Sequence, residues 1–295
     1  MLPLTEPRRE REFDGKSHPD AIPVVLVGLD SGLTQWLFAR LCFAARPELF
    51  GPVVVFDAGA ASSGGLDERA CALGETVEAA LVDKASKRVV LVGHSVGALV
   101  CAHFSDNMAA SRGVAVESVV CIACPWHGLP GLPQPAAIRE AHLTMARQMP
   151  ASLQADLGEG SKVLRAIRER RMGGQDSRSV TRFYNLAGGS DALVASARPV
   201  AQRLAFWFLL LPHVGHHSIL LSQTLWGQAL VWLAMLLESR RKAADPGRPE
   251  WQNSAGTPLP GGPVPGGFDA VQADVGRCAV RGTPRGGAED GAQGQ

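Results

Sequence analysis

The chain has 295 residues, of which 46% are hydrophobic and 19% charged, and its formal net charge is +1. This length and apolar content allow a sizeable core in one large domain or two small ones. The near-neutral charge argues against a general nucleic-acid-binding protein, which would be strongly basic. The composition also excludes a collagen, a coiled coil and a polytopic membrane protein.

The two ends of the chain differ in composition from the middle. Residues 1–20 contain no apolar stretch of the signal-peptide kind, and we expect a flexible N-terminus there. Residues 241–295 contain 12 Gly and 7 Pro with few large apolar side chains. Such a segment buries too little surface to offset its chain entropy, so it is predicted to be a disordered tail. The folded domain is therefore predicted to span residues 21–240.

Short apolar segments alternate with helical patterns along this domain. The predicted strands are Ile22–Gly28, Pro52–Asp57, Arg88–Gly93, Glu117–Ile122, Arg182–Ala187 and Ala205–Leu211. The predicted helices are Thr34–Arg46, Cys71–Lys84, Val96–Met108, Ala136–Met149, Ser161–Met172 and Leu221–Glu238. Uninterrupted apolar strands indicate a sheet that is covered on both faces, and the alternation with helices predicts a mostly parallel α/β sheet.

One connection is much longer than the others. The segment from about residue 128 to residue 181 is predicted to be a cap inserted after the strand that ends near Ile122. The stretch from Lys162 to Arg182, at the end of the cap, is basic, with seven Lys and Arg residues against Glu169 and Asp176. This excess predicts either a solvated helix face or a surface that meets anionic lipid or phosphate, with peripheral membrane contact through the cap.

The six cysteines are too few and too scattered for a disulfide framework in a chain of this length. Cys121 and Cys124 form a CxxC within an apolar run, and strand alternation would direct them to opposite faces. No second Cys or His pair with zinc-like spacing accompanies them. We expect two buried thiols, and neither a metal site nor a cofactor site.

The most informative motif is GHSVG, which follows the predicted strand RVVLVG and precedes a predicted helix. A sharp strand-to-helix turn needs small residues on both sides of its central serine. This context predicts that Ser95 is an exposed nucleophile at the N-terminus of a helix.

A serine nucleophile needs a general base and an acid that orients the base. In this type of sheet the order along the chain is Ser, Asp, His, with the last two in loops after later strands. Asp191 follows the strand RFYNLA on a Gly-Gly turn and is the predicted acid, with Asp57 as its competitor. His217, directly before the final helix, is the predicted base, and His216 is the alternative.

The oxyanion formed during ester cleavage would need two backbone N–H donors. Val96, the residue after the nucleophile, is predicted to supply one, and Leu29 after the first strand the other. Asp30 lies beside Leu29, and its role stays open.

Five segments between about Ala21 and Leu237 carry a resemblance to a known family: PVVLVGLDSG, VVLVGHSVGALVC, IACPWHG, NLAGGSDALV and HHSILL. Together they resemble serine hydrolases of the α/β-hydrolase superfamily, and within it the lipase and GPI inositol-deacylase group. The last segment is similar to the Asp-His-x-x-Ile histidine segment of the deacylases. The first departs from the usual oxyanion loop, because Val27-Gly28 stands where a His-Gly or Pro-Gly step is common.

The resemblance implies hydrolysis of a lipid-type carboxylic ester by Ser95, His217 and Asp191 through an acyl-enzyme, without a metal or cofactor. It implies an acyl-ester substrate as the partner, while the near-neutral charge predicts that no nucleic acid is bound. The deacylases are endoplasmic reticulum membrane proteins, but this sequence shows no transmembrane segment, so a cytoplasmic location is the other expectation. The alternatives are a small-molecule esterase, a thioesterase or an acyltransferase with the same residues, and a non-catalytic binding protein of this fold.

Overall fold

The computed structural model describes residues 20–29, 33–61, 63–84, 86–128, 147–158, 160–173, 181–191 and 207–244. All of them lie in the first of two units into which the chain divides, Met1–Asp245. The predicted flexible N-terminus and all but the first four residues of the predicted tail lie outside the described residues.

Within the described residues, six strands form one parallel sheet in the order β2-β1-β3-β4-β5-β6. The strands are β1 Ile22–Gly28, β2 Phe50–Asp57, β3 Arg88–His94, β4 Ala115–Ile122, β5 Arg182–Gly188 and β6 Trp207–Leu211. This confirms the predicted α/β class, and each strand lies within a few residues of its predicted position. The inner strands are almost wholly buried, whereas β2 and β6 are partly exposed because they form the two edges.

Seven α-helices are found among the described residues. They are α1 Leu37–Ala44, α2 Ala58–Ala61, α3 Leu66–Ala80, α4 Val96–Asn107, α5 Ala151–Leu157, α6 Lys162–Gly173 and α7 Gln223–Ala244. Short 3-10 helices occupy Leu33–Trp36, Ala110–Arg112 and Ser218–Leu221. The last helix continues to Ala244, so the helical part extends four residues into the predicted tail.

Helix α3 begins five residues before the predicted start at Cys71, and its first turn explains why. The Glu68 carboxylate accepts a hydrogen bond from the Gly65 N–H at 2.9 Å. The Asp156 carboxylate, which belongs to α5, accepts one from the Leu66 N–H at 2.7 Å. Both bonds satisfy backbone donors that a helix start otherwise leaves unpaired. The cap from Asp156 comes from 90 residues away, so a local pattern could not reveal it.

The topology distributes the helices over the two faces of the sheet. The chain moves outward from β1 to β2 and then crosses back to β3, so right-handed crossovers place α1 on one face and α3 and α4 on the other. In agreement, α4 packs against α3 and against β1, β3 and β4, while α1 packs against α7. The inner strands are thereby buried on both faces, as their uninterrupted apolar sequences indicate.

The predicted cap is described only in part. Helix α6 agrees with the predicted helix Ser161–Met172, whereas most of the predicted helix Ala136–Met149 lies outside the described residues. Two of the cap arginines bind the rest of the domain: Arg168 donates to the Trp126 carbonyl at 2.8 Å, and Arg170 to the Asp106 carbonyl at 2.7 Å. The basic stretch therefore has a structural role besides its solvated face.

The cysteines among the described residues are free, and Cys101, Cys121 and Cys124 are buried. The strand ends at Ile122, and Ala123 adopts a positive φ of 50°, so the alternation of β4 does not continue to Cys124. Both members of the CxxC are core side chains.

Candidate active site

Ser95 occupies the turn between β3 and α4, and its backbone is strained. Its φ of 55° and ψ of −128° lie in a region that non-glycine residues rarely adopt. Such a conformation costs about 1–3 kcal/mol and persists only where the surroundings hold it. Here the Ser95 N–H donates to the Ile122 carbonyl at the end of β4, at 2.8 Å. The turn thus presents the serine side chain at the carboxyl edge of the sheet.

The two glycines of GHSVG are required because of close backbone approach. A Cβ on Gly93 would lie under 3.0 Å from the backbone of Ala98 in the helix that follows. A Cβ on Gly97 would meet the Val27 carbonyl and the Gly28 Cα at the end of β1 at similar range. The first turn of α4 can therefore lie directly against the end of β1.

The loops after β5 and β6 are joined by backbone contacts. The Gly189 N–H donates to the Leu211 carbonyl at 2.7 Å, and the Ser190 N–H to the Val214 carbonyl at 3.1 Å. Gly188 lies so close to Val214 that a Cβ there would contact the Val214 carbonyl at under 3.0 Å. The Gly188-Gly189 pair at the end of β5 thus lets the acid loop and the histidine loop pack together.

The two loops and the turn at Ser95 each contribute one polar side chain to a chain of hydrogen-bond contacts. The Nδ1 atom of His216 lies 2.9 Å from the Asp191 Oδ2 atom, and its Nε2 atom lies 2.9 Å from the Ser95 Oγ atom. Asp191 is 0% exposed and His216 is 9% exposed. A carboxylate can only accept, so Nδ1 carries the hydrogen, and the neutral ring then accepts the serine hydroxyl hydrogen at Nε2. Of the predicted residues, Ser95 and Asp191 lie together.

The contacts with Ser95 and Asp191 are made by His216, the alternative in the sequence-based prediction, and not by His217, the residue preferred there. His217 is exposed and lies at the start of the 3-10 helix Ser218–Leu221, with its ring centroid 5.1 Å from that of His216. Consecutive side chains in this turn point in different directions, so only one of them can face Ser95. A signal for His216 was present in HHSILL, where a His-x-x-Ile spacing runs from His216 to the buried Ile219.

Asp57, the competing acid, lies at the end of the edge strand β2. Its Oδ1 atom accepts hydrogen bonds from the N–H groups of Gly59 at 2.8 Å and Ala60 at 3.2 Å. These bonds cap the first turn of the short helix α2. The carboxylate that contacts His216 is that of Asp191.

The predicted oxyanion donors lie at neighbouring positions of the fold. Val96 is the first residue of α4, where a backbone N–H has no carbonyl partner within the helix. Leu29 directly follows β1, whose end touches Gly97 in the first turn of α4. Asp30 lies outside the described residues.

His94 is a site residue that the sequence analysis did not single out. It is 3% exposed, and its Nε2 atom lies 2.9 Å from the backbone carbonyl of His216. Burial, with repulsion from His216 and His217, lowers the pKa of His94 from 6.5 to about 3. Burial also lowers the pKa of His217. His94 is therefore a neutral donor. Its position inside the GHSVG motif was the sequence signal that could have identified it as a site residue.

Within the described ranges, no cluster of three His, Cys, Asp or Glu side chains is suited to holding a metal ion. In the same part of the chain, no helix combines the length and hydropathy needed to cross a bilayer.

No protein-family model matches the sequence, and no curated protein matches it. Solved structures do resemble the fold. The monoacylglycerol lipase of Paleococcus ferrophilus is similar with a TM-score of 0.50 and 16% identity, over 75% of this chain and 96% of that one. Est1E from Butyrivibrio proteoclasticus is similar with a TM-score of 0.51 and 12% identity, over 75% and 90% of the two chains.

The chain has an α/β-hydrolase fold.

A loop variant of haloalkane dehalogenase from Bradyrhizobium elkanii is also similar, with a TM-score of 0.55 and 12% identity over 77% of this chain and 93% of that one. This neighbour is named for a reaction other than ester hydrolysis, so the fold alone does not select the chemistry. Function therefore depends on the side chains at the carboxyl edge of the sheet.

Proposed function

We propose that the chain is a serine hydrolase that cleaves carboxylic esters through an acyl-enzyme. The observation that carries this proposal is the pair of 2.9 Å contacts that join Asp191, His216 and Ser95. A serine hydroxyl is a weak nucleophile at its ordinary pKa, and an adjacent imidazole oriented by a carboxylate is one way to activate it. The strained turn at Ser95 also supports a catalytic role for this serine, since backbone strain of this kind is concentrated at functional sites.

In the first half of the proposed reaction, the Ser95 oxygen attacks the ester carbonyl while His216 Nε2 takes the hydroxyl proton. Asp191 keeps the imidazole in the tautomer with hydrogen on Nδ1 and stabilises the imidazolium that forms. The N–H groups of Val96 and Leu29 are the proposed donors to the carbonyl oxygen, which becomes negatively charged. The tetrahedral intermediate then expels the alcohol, which receives the proton from His216.

In the second half, water replaces the alcohol. His216 takes a proton from water, the hydroxide attacks the acyl carbonyl, and the bond to the Ser95 oxygen breaks with return of the proton to Ser95. The products are the free acid and the regenerated serine. All proton transfers use His216, and the sequence of steps needs no reactant besides ester and water.

We further propose a lipid-type acyl ester as the substrate. The resemblance of five segments to the lipase and GPI inositol-deacylase group supports this class, and a monoacylglycerol lipase is among the structures with the same fold. In its most specific form, the proposed reaction removes the inositol-linked acyl chain of a GPI at the endoplasmic reticulum membrane. Trp126 and Trp226 give no information about the substrate, because both are fully buried core residues.

Lys162 and Arg165 of α6 are exposed, in contrast to the engaged Arg168. We propose that these two cations contact anionic lipid at the membrane surface. Wild type should sediment with vesicles that contain phosphatidylserine more than with pure phosphatidylcholine vesicles, and the Lys162→Gln/Arg165→Gln double variant should lose the difference. Equal sedimentation of both proteins would contradict the membrane contact and leave the ester-hydrolase proposal intact.

Labelling with a fluorophosphonate probe tests the reaction class. Wild type should be labelled, and Ser95→Ala should not be. Ser105→Ala, on the same helix, is the matched control and should be labelled like wild type. Folded wild type that takes no label would instead indicate a non-catalytic binding protein with this fold, and labelling that survives Ser95→Ala would exclude Ser95 as the nucleophile.

A chain-length series of nitrophenyl esters, from acetate to palmitate, tests the substrate class. A lipid hydrolase should show kcat/KM rising from acetate towards longer chains. A maximum at acetate would favour the small-molecule esterase, and transfer of the acyl group to an added alcohol or thiol in preference to water would favour an acyltransferase. Loss of one acyl chain from an inositol-acylated GPI, followed by mass spectrometry, tests the deacylase form directly.

A further inference from the structure

His94 links the histidine loop to the strand that carries the nucleophile. It is the last residue of β3, directly before Ser95. Its Nε2 atom lies 2.9 Å from the His216 backbone carbonyl, and the two ring centroids are 4.9 Å apart. The ring is almost completely buried, so water does not compete effectively for this hydrogen bond.

The direction of this bond is fixed by chemistry. A backbone carbonyl can only accept, so Nε2 of His94 carries the hydrogen and donates it. The pKa of His94, lowered to about 3 by burial and by repulsion from His216 and His217, keeps the ring neutral at working pH. His94 therefore acts as a fixed donor and not as a charge.

The bond acts on a loop that has to place one side chain accurately. The preceding residue Gly215 donates to Ser218 Oγ, and Val214 accepts from Ser190, so these contacts join the histidine loop to itself and to the acid loop. The contact from His94 joins the His216 main chain to β3 instead. Nucleophile and base are thereby positioned from the same strand end.

We propose that His94 is a positioning residue: its Nε2–H holds the main chain of His216 so that the imidazole stays within hydrogen-bond distance of Ser95. This inference rests on the proposed serine-hydrolase function. A displacement of about 1 Å at a reacting group can reduce a rate about 100-fold, so a single anchoring bond can affect turnover strongly.

Two near-isosteric substitutions separate the donor from the volume of the side chain. His94→Gln retains an N–H donor near the Nε2 position, whereas His94→Met has similar length and no donor. We expect His94→Met to lower kcat about 10- to 100-fold with little change in KM, and His94→Gln to recover most of the loss. His103→Gln and His103→Met are the matched controls, because His103 is a buried histidine of α4 that binds Asp67 and Asn107. Both control substitutions should leave kcat nearly unchanged.

Two further readouts distinguish positioning from a general loss of structure. The rate constant of fluorophosphonate inactivation, per folded molecule, should fall in parallel with kcat, because it reports on Ser95 activation without the ester. In the pH profile of kcat/KM, the plateau should fall in His94→Met while the midpoint of the acidic limb stays in place, since His94 carries no charge there. If His94→Met does not fold, His94→Asn, whose donor is set back from the carbonyl, replaces it in the comparison with His94→Gln.

Equal kcat values for His94→Gln and the variant compared with it, His94→Met or His94→Asn, would overturn the inference, as would a displaced acidic limb. These results leave the proposed function intact if wild type still takes the probe at Ser95. Wild type that neither takes the probe nor cleaves esters would overturn the proposed function and this inference together.

Discussion

Two buried carboxylates at opposite ends of the sheet have different partners. Asp191, at the carboxyl edge, is 0% exposed and contacts His216. Glu117, near the start of β4, is 3% exposed and forms ion pairs with Arg88 of β3 and Arg240 of α7. Each carboxylate joins segments that are distant in the sequence.

The difference lies in whether the partner can change its charge. A guanidinium stays protonated throughout the working range of pH, so Glu117 has permanent compensation and its cluster serves to hold α7 on the sheet. An imidazole can gain and lose a proton near neutral pH, so in the proposed mechanism Asp191 stabilises a charge that exists only during part of the reaction cycle. The comparison predicts that substitution of Asp191 impairs turnover and that substitution of Glu117 impairs stability.

The largest expected effect is on turnover, in Asp191→Asn. The amide retains the shape but favours the wrong imidazole tautomer, and kcat should fall by about 10⁴, the scale of this change in serine proteases. That loss corresponds to about 5.5 kcal/mol in the activation free energy. Ester hydrolysis at pH 8, with circular dichroism as the check of folding, measures it. A rate near that of wild type would remove Asp191 from the proposed mechanism.

The next effect is on the free energy of unfolding, in Glu117→Gln. Removal of the carboxylate takes away the buried charge that pairs with Arg88 and Arg240, and loss of one partner of a buried pair costs about 3–5 kcal/mol. Urea denaturation measures the change, and kcat per folded molecule should stay the same. Glu169→Gln, an exposed substitution on α6, is the control and should change the unfolding free energy by less than about 0.5 kcal/mol.

A smaller expected effect is the pH dependence of the unfolding free energy that His94 contributes at the carboxyl edge of the sheet. His94 faces His216, His217 and Asp191, and its pKa is lowered from 6.5 to about 3 in the folded protein. Between these values the unfolded chain binds a proton that the folded protein does not, so stability present above pH 6.5 is lost as the pH falls. The loss from this group is at most about 1.4 kcal/mol per pH unit.

His94→Gln removes this titration, so its unfolding free energy between pH 6.5 and pH 4 should fall less steeply than that of wild type. Urea denaturation at several pH values measures both slopes. His103→Gln is the matched substitution and should retain the contribution of His94. Identical slopes for wild type and His94→Gln would show that His94 does not control the acid sensitivity of the carboxyl edge.

The strands, and most helices, could be predicted because their signal is local. Segments such as VVLVG would present apolar side chains on both faces of a strand, and GHSVG lies between a strand pattern and a helix pattern. What the sequence did not reveal depends on contacts between distant segments. The start of α3 depends on Asp156, and the choice between His216 and His217 depends on which side chain the turn directs at Ser95.

The smallest expected effect is that of Asp57→Asn, which sharpens the comparison because Asp57 also ends a strand. Its Oδ1 atom caps the first turn of α2 through Gly59 and Ala60, and an asparagine retains that acceptor. We expect kcat to fall less than about tenfold, because no change of imidazole tautomer follows from this substitution.

The informative quantity is the ratio of the two asparagine variants, measured at pH 8 on the same ester with the folded fraction of each determined by circular dichroism. Both substitutions replace a carboxylate by an amide of the same shape at the carboxyl end of a strand, so a general effect of lost charge cancels in the ratio. If Asp191 orients the base, Asp191→Asn should be slower than Asp57→Asn by about 10³ or more. The opposite ranking would place the acid on the edge strand β2, and would mean that the contact between Asp191 and His216 has a structural role only.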